Sequence, residues 1–427
     1  MLKNIEAGLA LFLLLVGSSL ATGCSPATEA DGGNGAANGT AMVKAELPPV
    51  VTSGPSAIDY AQLEARLNRL VEAERMVGLA VGVVENGQIR FVKGFGTVAS
   101  DSEERVTENT VFRWASLSKG VAADMVALLA SRGQLSLDEP ISLHSSNLRL
   151  PNGNETRATV ANVLSHTIGV HGHAYDARLE DGEDPRYLRQ LHATLSQSCE
   201  PGTCHAYQNV GYDAATDVIE KLTGKTFEEA LTENVFAPLG MSNASASRGR
   251  LLASQSWARP HRGGRGSRPE EVLEPYYRVP SAGGVNGSIM DLTLWMRAQM
   301  GLAPEVLPQD VLTQVQTSRI NTPGENSRRR RFAERTATSS YGLGWRIFDY
   351  AGHRVIGHHG GVLGYRSLIL FDPVRKSGVV ALWNTATGRP NGIEYEVMDM
   401  IYGLPHRDWL RLDGGSEEAP APLPKED

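Results

Sequence analysis

The chain has 427 residues, of which 41% are hydrophobic, and this apolar fraction excludes a wholly disordered protein. Its 41 Lys and Arg residues against 48 Asp and Glu residues give a formal charge of -7, which argues against nucleic acid as a partner. Three cysteines exclude a disulfide-dense miniprotein, so the composition favours a globular body of enzyme size.

Residues 1–23 have the pattern of an export signal. Lys3 precedes an unbroken apolar run over 7–16, and small residues follow it up to Cys24, as is typical of a signal peptide. The Gly-Cys step at Cys24 resembles the bacterial lipobox, although Ala21 stands where leucine is usual. That resemblance implies lipidation of Cys24 and a lipid anchor to a bacterial membrane, with simple cleavage and secretion as the alternative. In either case we expect an exported protein of the periplasm or cell envelope.

Flexible segments are predicted on both sides of the folded body. Residues 24–56 are rich in Ala, Gly, Pro, Asn and Thr and have no hydrophobic period, as in a flexible tether. Residues 411–427 are acidic and proline-rich, which predicts a disordered tail. Folding is therefore expected for residues 57–410.

The folded body opens with a helix and a hairpin. Apolar residues recur at helical spacing over 57–75, which predicts an amphipathic helix with Ser56 as its N-cap. Two apolar, β-rich runs follow, at 78–85 and 88–98, joined by Asn86-Gly87. Asn-Gly accepts the positive φ angles of a type I′ turn, so the two runs are predicted to form a β-hairpin.

From about residue 120 to 300 the pattern is mainly helical, and strands return near the C-terminus. The predicted helices of the middle region are 121–130, 214–223, 227–235 and 291–300. The predicted C-terminal elements are strands 342–350, 353–359, 365–371 and 378–384 and a helix at 393–401. Strands at both chain ends predict an α+β or α/β fold, with one antiparallel sheet flanked by helices and an inserted helical region.

An arginine run at 328–331 stands in the polar stretch 323–340. The composition predicts a solvated loop there. Contact with an anionic substrate or with lipid headgroups is the alternative.

Ser116 and Lys119 form a Ser-x-x-Lys pattern at the start of a predicted helix. Residues three apart on a helix face the same side, so the lysine ammonium can sit beside the serine hydroxyl. A serine hydroxyl is a weak nucleophile until a neighbouring group takes its proton. The pattern is short, and an ordinary surface pair is the alternative interpretation.

Tyr207 is followed two places later by Asn209. A tyrosine held near cations can act as a general base, and an asparagine amide can bind a substrate carbonyl. A packed loop tyrosine is the alternative.

A third pattern, His358-His359-Gly360-Gly361, lies in a predicted C-terminal strand. Glycines in a strand allow a ligand to approach the backbone closely, and a backbone amide there can face an oxyanion. His171, His173 and Asp176 could suggest a metal site, but no cysteine or acidic cluster completes it. We therefore expect no metal there.

The order Ser-x-x-Lys, Tyr-x-Asn, His-x-Gly resembles the serine β-lactamase and penicillin-binding-protein superfamily. The branch it resembles is that of class C β-lactamase-related hydrolases, which includes esterases, D-amino-acid peptidases and carboxypeptidases. The resemblance covers about 57–405 and implies the β-lactamase-like (DD-peptidase) fold. Secondary blocks similar to those of the family are 164–169, 201–203, 207–212, 238–241, 282–285 and 341–345.

By position, the resemblance implies that Ser116 is the acylated nucleophile and that Lys119 stabilises its alkoxide and relays the proton. Tyr207 would be the general base, and Asn209 would orient the substrate amide or ester. The backbone amides of Ser116 and Gly361 would form the oxyanion hole, and the reaction would use no metal and no organic cofactor.

The segment His358-His359-Gly360 would line one wall of the site. Most β-lactamases and DD-peptidases of the superfamily carry Lys-Thr-Gly there, and a histidine is mostly neutral at pH 7. Binding of a substrate carboxylate should then be weaker unless arginines compensate. The expected substrates are esters or amides related to cell-wall D-amino-acid peptides, with β-lactam hydrolysis or a non-catalytic peptidoglycan sensor as alternatives.

Cys199 and Cys204 lie just before Tyr207. In an oxidising periplasm they could close a small disulfide loop that fixes the Tyr-x-Asn segment, with two free thiols as the alternative. The sequence leaves the oligomeric state open.

Overall fold

The computed structural model describes residues 47–414, apart from the side chains of 326–328. The predicted signal peptide, Cys24, most of the tether and most of the tail lie outside the described residues. The strands are β1 Gly78–Glu85, β2 Gln88–Gly96, β3 Phe112–Arg113, β4 Asn286–Gly287, β5 Ile320–Asn321, β6 Thr336–Tyr341, β7 Arg346–Tyr350, β8 His353–Val362, β9 Tyr365–Asp372 and β10 Ser377–Trp383. The helices are α1 Tyr60–Ala73, α2 Ser118–Ser131, α3 Val160–Leu164, α4 Asp176–Glu180, α5 Pro185–Leu191, α6 Ala214–Thr223, α7 Phe227–Leu231, α8 Arg248–Leu252, α9 Pro280–Gly283, α10 Ile289–Gln299, α11 Gln309–Gln316, α12 Pro323–Arg328 and α13 Ile393–Tyr402.

An eight-stranded sheet carries the fold, in the order β2-β1-β10-β9-β8-β7-β6-β5. Every pairing in it is antiparallel, and β1 joins β10 with Leu79 opposite Trp383. Asn86 and Gly87 have φ angles of 51° and 80°, so the predicted hairpin turn is confirmed. The predicted α+β architecture, with one antiparallel sheet built from both chain ends, is confirmed as well.

Each face of the sheet is covered by helices. On one face α1 packs on β2 and α13 on β10, and the core there includes Leu67, Leu70 and Tyr395. On the other face α10 of the inserted helical region packs on β1 and β10. Trp295 and Trp345 lie in that second core, with their ring centroids 5.0 Å apart. Within residues 47–414, no helix is long and apolar enough to cross a membrane.

The predicted N-cap of the first helix is wrong. The side chain of Asp59, not Ser56, caps α1, and it accepts a hydrogen bond from the Gln62 amide at 2.9 Å. Ser56 instead donates its hydroxyl to the Glu85 carboxylate at 2.7 Å. Because Glu85 holds this segment against the end of β1, the helix begins only at Tyr60.

The stretch 323–340 was predicted as a solvated loop, and this is wrong in part. It contains α12 and most of β6, whose Ser340 pairs with Ile347 of β7. The guanidinium carbon of Arg329 lies 4.1 Å from the ring centroid of Phe348, so this arginine packs on the sheet instead of facing solvent. Pairing with β7 therefore places a segment of polar composition in the sheet.

Candidate active site

Ser116 lies in a turn that leads into α2 and is held by hydrogen bonds to its backbone. Ala115, just before it, has a φ angle of 49°, a left-handed conformation that is unusual for a residue with a side chain. Ser118 Oγ donates to the Ala115 carbonyl at 2.6 Å, and Ser367 Oγ donates to the Trp114 carbonyl at 2.7 Å. The surrounding contacts thus hold a strained backbone and leave Ser116 half-buried. We call the space between this turn, Tyr207 and strand β8 the cleft.

Lys119 lies fully buried beside that serine. Its Nζ donates to Ser116 Oγ at 3.4 Å, to Asn209 Oδ1 at 2.7 Å and to the Ala282 carbonyl at 2.9 Å. A buried ammonium is stable only when its donors find acceptors, and these three oxygens provide them. The structure therefore places Lys119 beside Ser116, as their spacing predicted, and brings Asn209 to the same ammonium.

Tyr207 lies against the same ammonium. Its ring centroid is 4.6 Å from Lys119 Nζ and 5.5 Å from the guanidinium carbon of Arg346. Nearby positive charge favours a phenolate, which is the form that a general base needs. Lys119 thus contacts Ser116, Tyr207 and Asn209, and the role of Tyr207 as general base stays a prediction.

The buried residue His166 holds the backbone around Tyr207. Its Nδ1 accepts from the Gln208 amide at 3.1 Å, and its carbonyl accepts from the Ala206 amide at 2.8 Å. His166 has a φ angle of 59°, so this contact also uses a strained backbone. Sequence reasoning placed His166 in a family-like block but gave it no role.

Cys199 and Cys204 form a disulfide in the structure. The loop that they close is docked on residues 167–169, since the Gly202 amide donates to the Thr167 carbonyl at 2.7 Å and the Ser198 amide donates to the Gly169 carbonyl at 2.8 Å. The loop thereby joins the segment before Tyr207 to the segment after His166.

Strand β8 forms the opposite side of the cleft, and its Gly360 lies closest to the backbone of the Ser116 turn. A Cβ atom at Gly360 would lie 2.4 Å from the Trp114 carbonyl oxygen and 3.0 Å from the Ser116 amide nitrogen. Only glycine fits this contact without moving the backbone. Gly361 follows, paired with Arg366 of β9, and its amide as part of an oxyanion hole stays a prediction.

His358 is buried and neutral. Burial first, and then the positive charges of Arg346 and Lys119, hold the pKa of His358 well below its usual range. Its Nδ1 donates to the His359 carbonyl at 2.6 Å, which leaves Nε2 to accept from Arg346 Nη1 at 3.1 Å and from the Tyr341 hydroxyl at 3.0 Å. His358 therefore places a permanently charged arginine beside the cleft.

The structure does not bring the His359 side chain to the cleft. Successive side chains of a strand point to opposite faces, so His359 faces α13 and its Nε2 contacts Glu394 Oε1 at 3.0 Å. The expectation that this side chain lines the wall with His358 is corrected accordingly.

Arg346 and Asp176 were missed as site residues. Arg346 follows a family-like block directly, but its contact with His358 depends on the pairing of β7 with β8. Asp176 was weighed only as a metal ligand, whereas its carboxylate accepts from Asn209 Nδ2 at 2.7 Å and from His173 Nδ1 at 3.0 Å. Among the described residues, no group of three or more His, Cys, Asp or Glu side chains is arranged to hold a metal ion.

Comparison with known proteins finds relatives of the family that the three motifs resemble. The family model described as Beta-lactamase matches residues 63–398. Esterase EstB from Burkholderia gladioli is 32% identical over 216 residues, which cover 47% of this chain and 55% of the esterase. Penicillin-binding protein 4 from Amycolatopsis lactamdurans is 26% identical over 345 residues, which cover 77% of this chain and 86% of that protein. Unguisins hydrolase ungD' from Aspergillus campestris is 25% identical over 344 residues, which cover 77% of this chain and 61% of that protein. The chain thus spans less than two thirds of the length of both EstB and this hydrolase.

Solved structures share the fold. The octameric penicillin-binding protein homologue from Pyrococcus abyssi superposes with a TM-score of 0.71 at 23% identity, covering 81% of this chain and 78% of that chain. A class C beta-lactamase gives a TM-score of 0.66 at 21% identity, covering 83% of this chain and 100% of that chain. At these identities the likeness shows the fold alone.

Proposed function

Because the chain belongs to the β-lactamase family, we propose that it is a serine hydrolase in which Ser116 is acylated by an ester or amide and then released by water. The observation that carries the proposal is the position of Lys119 Nζ, 3.4 Å from Ser116 Oγ and against the ring of Tyr207. The names of the relatives, which include an esterase and a penicillin-binding protein, support the same class of reaction.

In the proposed reaction, Ser116 Oγ attacks the carbonyl carbon and its proton passes to Tyr207. Lys119 stabilises the negative charge on Oγ, and the amides of Ser116 and Gly361 bind the oxyanion. Tyr207 then gives the proton to the leaving group as the scissile bond breaks. In the second step water attacks the acyl carbon while Tyr207 takes its proton, and Tyr207 returns that proton to Ser116 Oγ as the acyl–oxygen bond breaks and the acid leaves.

The substrate class that we propose is an ester or amide related to cell-wall D-amino-acid peptides. Such peptides carry a carboxylate, and Arg346 supplies a permanent cation on the His358 side of the cleft. Glu325 Oε2 lies 3.2 Å from Arg346 Nε and offsets part of that charge. The neutral His358 and this partly balanced arginine favour modest carboxylate binding, so hydrolysis of β-lactams is the second candidate.

We also propose export to the periplasm or cell envelope, with a lipid anchor on Cys24. The Cys199–Cys204 disulfide supports an oxidising compartment, because such bonds are rare in reducing cytosol.

The test is intact-mass analysis of the purified protein after incubation with a fluorophosphonate probe. Wild type should gain one probe mass and Ser116→Ala none, while Ser146→Ala, which changes an exposed serine, should label like wild type. An unlabelled wild type would contradict the hydrolase and favour a cleft that only binds, as in a peptidoglycan sensor.

Benzylpenicillin in the same assay separates the two substrate classes. A long-lived adduct on Ser116 favours a cell-wall peptidase, and fast turnover of the drug favours a β-lactamase. Neither adduct nor turnover, with intact fluorophosphonate labelling, moves the proposal to ester substrates.

A further inference from the structure

A buried chain of hydrogen bonds leads from Asp176 to the serine. Asp176 Oδ2 accepts from Asn209 Nδ2 at 2.7 Å, Asn209 Oδ1 accepts from Lys119 Nζ at 2.7 Å, and Lys119 Nζ reaches Ser116 Oγ at 3.4 Å. Asp176, Asn209 and Lys119 are each no more than 4% exposed. Water therefore does not compete for these bonds.

The order of groups fixes the orientation of the Asn209 amide. A primary amide can flip, exchanging its oxygen and its NH₂ group at little cost in shape. Here the ammonium of Lys119 can only donate and the carboxylate of Asp176 only accepts, so one orientation satisfies both neighbours. The flipped amide would set NH₂ against the ammonium and its oxygen against the carboxylate.

Asp176 is itself held in a way that points to this role. The neighbouring His173 and Tyr175 have φ angles of 57° and 65°, so a strained backbone carries the carboxylate to Asn209. Its Oδ1 is buried and has no hydrogen-bond partner within the part of the chain that the structure describes. A buried oxygen without a partner costs stability, so folding alone does not account for a carboxylate here.

We propose that Asp176 is a positioning residue, which orients Asn209 so that its oxygen holds the Lys119 ammonium against Ser116. This inference rests on the proposed serine hydrolase function and deepens it. Asp176 does not touch the reacting atoms. Its other partner, His173, donates its backbone amide to the Tyr207 carbonyl at 2.7 Å, so the test must separate the path through Asn209 from a path through His173.

The test is a double-mutant cycle with the fluorophosphonate probe, in which the rate constant of labelling and the half-saturating probe concentration are measured separately. Asp176→Ala should lower the rate constant by about 30-fold, with the half-saturating concentration changed by less than about threefold. The double variant Asp176→Ala/Asn209→Ala should label within about twofold of Asn209→Ala alone, because the path is already broken. Asp181→Asn, at the exposed end of the same helix, should label like wild type.

Two results would overturn the positioning role: an unchanged rate constant in Asp176→Ala, or losses that multiply in the double variant. Should Asp176→Ala fail to fold by circular dichroism, Asp176→Asn, which keeps the side-chain shape, goes through the same cycle. Its amide would present a second donor to either His173 or Asn209, so a loss of about tenfold is expected, again absent when Asn209 is alanine. A wild type that does not label overturns the hydrolase and the positioning role together, whereas a labelled wild type with an unaffected Asp176→Ala overturns only the latter.

Discussion

The two sides of the cleft hold their residues by different means. The β8 wall, residues 357–361, pairs with β9 along its whole length and with β7 only at Gly357. The Tyr207 wall, residues 166–176 and 198–209, has no strand pairing. Instead it depends on a disulfide, on side chains that bond to backbone, and on positive φ angles at His166, His173 and Tyr175.

The two walls should therefore respond differently to single substitutions. The register of the sheet fixes the positions of all residues of the β8 wall together, so the sensitive point there is Gly360, where a side chain has no room. In the Tyr207 wall each position depends on one or two particular contacts, so single changes should have graded effects. The predictions below test this contrast, in order of their expected effect on labelling of Ser116.

Gly360→Ala should have the largest effect. The new Cβ would meet two backbone groups of the Ser116 turn, and neither the sheet nor that turn can give way cheaply. We expect the labelling rate to fall by about 100-fold or more, the cost of a lost oxyanion donor. Gly249→Ala is the control, because a Cβ there meets nothing within 4 Å. Normal labelling of Gly360→Ala would contradict the close contact.

Opening the disulfide should have an intermediate effect. Cys199→Ser/Cys204→Ser frees a short loop, which should lower the free energy of unfolding by about 2 kcal/mol. The Tyr207 wall would loosen, and we expect labelling to slow by about fivefold, since a misplaced catalytic group loses part of its effect. Treating wild type with dithiothreitol should reproduce the loss, and the double serine variant should not respond to the reductant. Equal rates in all samples would show that the loop does not position Tyr207.

The smallest effect on labelling is expected from a substitution of Asp124, which lies on the same helix as Lys119. Its carboxylate accepts from Trp295 Nε1 at 2.8 Å and Gln299 Nε2 at 2.6 Å, and burial raises the pKa of Asp124 to about 7. The folded state thus keeps a proton that the unfolded chain releases near pH 4, so stability falls as pH rises towards and through 7.

Asp124→Asn removes this dependence without changing shape. The free energy of unfolding of the variant is compared with that of wild type at each pH. The difference between them should be on the order of 2 kcal/mol larger at pH 8 than at pH 5, in favour of the variant. The labelling rate should stay within about twofold of wild type. Urea unfolding at the two pH values measures the free energies, beside the exposed Asp181→Asn as control. A gain that is equal at both pH values would show that Asp124 does not titrate in this range.

The β8 wall was largely predictable and the Tyr207 wall only in outline. The apolar run at 353–359 is a local signal, and strand β8 confirms it, as the turn at Asn86-Gly87 is confirmed between β1 and β2. The cysteine spacing indicated the loop before Tyr207. The contact of Asp176 with Asn209, however, joins residues 33 positions apart with no periodic signal between them.

Two misses have the same physical origin. Arg346 could be placed beside His358 only once the β7–β8 register was known. The polar composition of 336–340 gave no sign of β6, which pairs with β7 and, at Ser340 and Tyr341, with the edge strand β5. Tertiary context, which composition does not encode, decided both.

The contact between the Ser116 turn and the sheet also bears on biosynthesis. Ser367 Oγ donates to the Trp114 carbonyl across 253 residues of chain. Strand β1 likewise pairs with β10, which is synthesised close to the end of the chain. A chain still on the ribosome has made its serine and lysine long before it has made the strand that seats them. Synthesis from the N-terminus thus keeps Ser116 apart from the strands that hold its turn until nearly the whole protein has emerged, so under the proposed function a partial chain cannot form the acyl-enzyme.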